Sequence, residues 1–96
     1  HDWYAIQEEI TGSKEGKIAA AKALGASDDQ SSVDLLLRFV DDADDDVVFA
    51  ACESLRKVGS EHDTADLLAR MQKIPEDRQA IRDEIGKTVQ ELHHRP

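Results

Sequence analysis

Residues 47–56 read V-V-F-A-A-C-E-S-L-R. Val47 is followed by two small residues, Ala51 and Cys52, and then by the larger Leu55. Gly16, Ala20, Ala21 and Leu24 hold the same places one copy earlier, and Ile81, Ile85, Gly86 and Val89 one copy later. Positions three and four apart share a helix face, so each copy is one side of a helix. A helical face returning every ~31–34 residues marks stacked helix pairs, each sealing the apolar side of its neighbour.

Around the central copy, Val47, Val48, Ala51, Cys52, Leu55 and Val58 cover an arc of roughly 140° at about 100° per residue. Phe49 lies just beyond it. So broad an arc needs a neighbour on both sides and places this helix in the middle of the stack. Upstream, Asp2 caps a first helix with Trp3, Ile6 and Ile10 on one face, broken at Thr11, Gly12 and Ser13. A second helix is expected over 14–24, stopped at Gly25. A third, over 32–40, carries Val33, Leu36, Leu37 and Val40 at helical spacing, with Ser31 and Asp34 as a capping pair.

The acidic turn 41–46 then leads into the fourth helix, where negative charge suits the unpartnered N–H groups of a helix start. Gly59 ends that helix, and Ser60 with Asp63 has capping spacing before a fifth helix over 63–72, which uses Leu67, Leu68 and Met71. Pro75 marks a boundary. The last helix, from 75 or 76 to 92, buries the narrow stripe Ile81, Ile85, Val89 and Leu92 under an otherwise polar surface, the pattern of a repeat that closes a stack. The expected architecture is all-α: a single domain over 1–96, with repeats over about 2–25, 32–59 and 63–92.

Composition narrows the partners. The 96 residues carry a net charge of −9, whose field repels nucleic acid and anionic membrane. Nothing approaches the ~20 apolar residues of a membrane span, and there is no signal-peptide pattern, so a cytoplasmic location is expected. One cysteine gives no internal disulfide. The chain opens on His1 rather than methionine, which fits a processed product or a piece of a longer repeat array; a monomer or such a fragment is expected.

Residues 16–25, G-K-I-A-A-A-K-A-L-G, resemble the inner-helix pattern V-R-x-x-A-A-x-A-L-G of HEAT-like repeats. The likeness is to the short type of ~30 residues found in bacteria and archaea, as in phycobilisome lyases. Residues 47–56 and 81–90 repeat the pattern, with Arg56 in the glycine place. Val33, Leu36, Val40 and Asp42 match the outer-helix pattern, as do Thr64, Leu67 and Met71, with 2–10 as a degenerate outer helix. The resemblance implies a short right-handed α-solenoid of about three antiparallel helix pairs, HEAT/ARM-like. It also implies a scaffold that holds other proteins against its inner helices.

Some HEAT-like chains belong to enzymes, among them bilin lyase subunits, a DNA-glycosylase family and the iron enzyme deoxyhypusine hydroxylase. This chain lacks the His-Glu pairs of the last, is acidic where a DNA binder is basic, and is far shorter than a lyase subunit. A non-catalytic adaptor without cofactor is therefore expected. The alternative is an accessory domain or subunit of a larger, lyase-like enzyme.

The sharpest metal-like signal is Asp42, Asp44, Asp46 and Glu53, at positions 1, 3, 5 and 12 of a calcium loop. Position 6 needs glycine and here is Val47, for which positive φ is costly. The reading adopted is an acidic helix cap. Cys52 falls on the small-residue place and is expected to be inert filler. His93 and His94, near Glu91, have no further ligand pair beside them. His62, beside Glu61, is placed in a loop. Trp3 and Tyr4 are expected to pack on the second helix, or to form a joint with upstream chain.

The repeat register marks a surface. The variable place between the small pair and the large residue holds Lys22, Glu53 and Lys87, a ladder of alternating charge flanked by Ala19, Ala50 and Glu84 and by Ala23, Ser54 and Thr88. Lys22, Glu53, Lys87, Glu84 and Ser54 are the candidate partner-binding residues.

Overall fold

The computed structural model of the chain describes residues 12–27 and 29–94. The helix expected over 2–10, with Trp3 and Tyr4, lies outside the described residues. Helix α1 spans Lys14–Leu24, as its apolar spacing predicts. The Ser13 hydroxyl caps it by accepting the Gly16 N–H at 2.9 Å, with Glu15 in the first turn. Gly25 follows at φ −65°, an ordinary helical value, so its role is not a left-handed stop. It is needed for space: a Cβ there would stand 2.7 Å from the Ser54 hydroxyl oxygen.

Helix α2, Gln30–Phe39, begins earlier than expected because its cap is Asp29 rather than Ser31. The Asp29 carboxylate accepts the Ser31 N–H at 3.2 Å, and Asp34 takes the Gln30 amide instead. Helix α3, Asp45–Val58, likewise starts inside the acidic turn, where the Asp44 carboxylate accepts the Asp46 N–H at 3.0 Å. Gly59 closes it in extended conformation. One 3-10 turn, Glu61–Asp63, precedes α4, Thr64–Gln72. Here the expected pairing of Ser60 with Asp63 forms, the carboxylate accepting the Ser60 N–H at 2.9 Å.

Helix α5 runs Gln79–His93 and starts later than the proline suggested. Pro75 opens a turn, closed by the Arg78 N–H on its carbonyl at 3.0 Å. Among the described residues there is no strand.

α1, α3 and α5 lie side by side; α2 packs on α1 and α3, and α4 packs chiefly on α5. The thinnest dimension of 16 Å is what two helix layers about 10 Å apart require. Val47, Val48, Ala51, Cys52 and Leu55 of α3 are wholly buried, against α1 and α2 on one side and α5 on the other. Its broad apolar arc thus has the two-sided contact that it demanded. Ile81, Ile85 and Leu92 seal the last pair, while Val89 is only partly covered. Leu68, expected inward, is 40% exposed; Leu67 alone among the α4 residues is fully buried.

Candidate protein interaction surface

The two seams between inner helices are built differently. Between α1 and α3, the Ser54 hydroxyl donates to the Ala21 carbonyl at 2.6 Å. Gly25 and Ala21 leave just enough room for that approach. Between α3 and α5, Arg56 donates to the Thr88 hydroxyl at 3.0 Å and to Glu84 at 3.3 Å, and stands 3.5 Å from Glu91. Ser54 and Glu84 were expected in the exposed ladder. Both are instead buried, because each lies on the flank that meets the preceding inner helix, where its polar atoms serve the seam.

What remains open is narrower. Lys22, Glu53 and Lys87 are exposed on α1, α3 and α5 at equivalent places. Among the described residues no ion pair joins them to one another; Lys87 lies 3.8 Å from Glu84 of its own helix. Ala19 and Ala23 of α1 are also exposed. Phe49, one helical turn before Glu53 and 38% exposed, joins this face. Its place at the edge of the apolar arc was the sequence signal for it, since an aromatic outside the buried sector must meet water or a partner.

The acidic turn has another task. Asp42 accepts the Lys17 ammonium at 2.7 Å and the Asp44 N–H at 2.8 Å. Lys14 pairs with Asp46 at 2.7 Å and lies 3.6 Å from Asp44. From the following pair, Arg70 reaches Asp41, and Arg78 holds Asp45 at 2.7 Å. Burial works to raise the Asp42 pKa, but the Lys17 hydrogen bond, the Asp44 N–H and the nearby Arg78 charge outweigh it and leave the pKa lowered. The carboxylates are thus shared between helix capping and cations from both neighbouring repeats. Glu53 stands apart from them on the exposed side of α3, so the calcium-loop spacing is not gathered into one place. Among the described residues no three His, Cys, Asp or Glu side chains are placed to hold a metal ion. His93 and His94 are exposed and meet edge to face at 5.9 Å. His62 is exposed in the 3-10 turn.

Cys52 is fully buried. Burial pushes its thiol up to about 11; the Thr88 hydrogen bond opposes that shift and the Glu84 charge adds to it. A thiol so raised is a poor nucleophile. Labelling by a disulfide reagent at neutral pH is expected to proceed no faster than the chain opens. The raised pKa favours the folded state below the thiol's unfolded value, near 9, and that advantage is lost as pH climbs toward 11. Urea titrations across that range should show wild type losing on the order of 2 kcal/mol more than Cys52→Ala.

Helix pairs stacked on one another, with a continuous core and an exposed row along the inner helices, define an α-solenoid. A sequence-family model described as HEAT repeats matches residues 6–86, and the chain belongs to the HEAT-repeat family. Proteins of this family generally mediate protein–protein interaction and are typically non-catalytic. No curated protein and no solved structure matches the chain. Among the described residues no helix is long and apolar enough to cross a membrane.

Proposed function

We propose that the chain is a non-catalytic scaffold or adaptor that holds a protein partner against its inner helices, with Lys22, Glu53 and Lys87 as the charged contacts and Phe49 as an apolar one. One observation carries this reading: the chain satisfies most of its seam and turn charges internally, yet this repeated row stays exposed, with no ion pair to Lys22 or Glu53 among the described residues and only the long 3.8 Å contact of Lys87 with Glu84. Elsewhere the same register gives Ser54 and Glu84 internal partners. Exposed ion pairs contribute only ~0–1 kcal/mol to folding, so exchanging these charges leaves the fold intact.

The test is to isolate a partner with the wild-type chain and measure its binding to the double variant Lys22→Glu with Glu53→Lys. Loss of ~10-fold or more in affinity at an unchanged melting temperature is the expected outcome. Retention of full affinity would place the contact elsewhere.

A further inference from the structure

Helix α3 has an inner helix on each side, α1 and α5, and α2 packed behind it, so what it exposes owes nothing to where the chain begins or ends. Two of its exposed side chains stand next to each other. Phe49 is 38% exposed, and Glu53, one turn on, is exposed as well. Residues four apart on a helix are about 6 Å apart at Cβ. Among the described residues Glu53 has no ion pair, and neither a cation nor a second ring lies on Phe49. Asp42, Asp45 and Glu84, by contrast, each hold a cation of the chain itself. A ring and a carboxylate side by side in water suit a guanidinium, whose plane stacks on the ring while its N–H fork meets the carboxylate oxygens. An ammonium, a compact and strongly hydrated charge, has neither the plane nor the fork.

We propose that the inner-helix row binds an extended, arginine-bearing segment of a partner protein, the arginine seated on Phe49 and Glu53 and a carboxylate on either side of it meeting Lys22 and Lys87. This rests on the reading of that row as the partner surface and names what fills it. Lys22 and Lys87 hold the place of Glu53 on α1 and α5, and both are exposed. Packed helices lie about 8–10 Å apart, so the charges recur across the row at about that step. A polyproline II segment rises about 3.1 Å per residue and brings every third side chain back to the same face after about 9 Å. The pattern acid-x-x-Arg-x-x-acid therefore meets the row charge for charge. Glu84 holds Lys87 only at 3.8 Å and leaves it able to take a second carboxylate. A helical occupant would need an apolar stripe to lie on, and Phe49 is the single large apolar side chain that α3 exposes.

The experiment follows the fluorescence anisotropy of a labelled peptide with the core E-P-P-R-P-P-E as the whole chain is added. Three further peptides serve as controls: one with lysine for the arginine, the charge-swapped R-P-P-E-P-P-R, and E-P-R-P-E, whose charges come at every second residue. Saturable binding of the first is expected, with the other three weaker by about tenfold or more. Glu53→Gln should weaken the first peptide about tenfold, and Phe49→Leu, which keeps an apolar side chain but loses the π face, about threefold, both at an unchanged melting temperature. Reversing the row with Lys22→Glu, Glu53→Lys and Lys87→Glu together should transfer the preference to R-P-P-E-P-P-R. No saturable binding, equal affinity for the arginine and lysine peptides, or indifference to Glu53→Gln or Phe49→Leu would overturn the proposal. The row itself is judged by the isolated partner. Loss of that partner to Lys22→Glu with Glu53→Lys, while no arginine peptide binds, would keep the row and sink this occupant alone.

Discussion

Leu55→Ala is expected to lower stability by about 3 kcal/mol, read as a fall in the urea midpoint at unchanged slope. Leu55 is wholly buried on α3, the helix that α1, α2 and α5 all touch. A cavity there is walled by several elements, none of which can move into it without leaving another contact. Domains of this size have only ~5–15 kcal/mol of total stability, so the loss should be plain in any melt, at roughly 15 °C. Leu68→Ala removes the same atoms from a 40% exposed site and should stay within about 0.5 kcal/mol. Equal effects at the two positions would mean that α3 is not the helix on which the stack depends.

The second large effect belongs to Arg56→Ala, at about 2 kcal/mol. The Glu84 side chain is 10% exposed, so deleting the guanidinium strands a carboxylate 3.3 Å from where it stood, while the wholly buried Thr88 hydroxyl loses its donor at 3.0 Å and keeps its own bond to the Glu84 carbonyl. Part of the full cost of an orphaned buried charge is relieved because Arg56 itself keeps 23% of its surface in water and Lys87 is near Glu84. The signature is non-additivity. Arg56→Met combined with Glu84→Leu removes both charges and should recover most of the loss, since apolar replacements often match a buried pair. Additive losses in the double variant would show that packing, not charge, dominates this seam.

The fold was legible because each apolar arc states how many neighbours its helix must have. Val47 through Val58 required two-sided burial, and the narrow stripe of α5 required one side. Caps were legible where donor and acceptor are close in sequence, as in Ser60 with Asp63. Where two acceptors competed, Asp29 won over Ser31, and pattern alone gave no way to choose. The candidate surface was half legible. Register identified Lys22, Glu53 and Lys87, but Ser54 and Glu84 have the same polar character, and only the neighbouring helix shows that their partners lie inward. The use made of the acidic turn was not legible, because the cations it meets come from 25 to 36 residues away.

The uneven sharing of neighbours has a kinetic side. α3 is held from three directions, whereas α4 rests chiefly on α5 and contributes one fully buried side chain, Leu67. Amide protons of α3 can therefore trade with deuterium only when the whole chain opens. Those of α4 exchange through a smaller event in which the outer helix lifts while the inner three stay in place. Among the described residues, a protease that needs an extended segment is expected to cut there first.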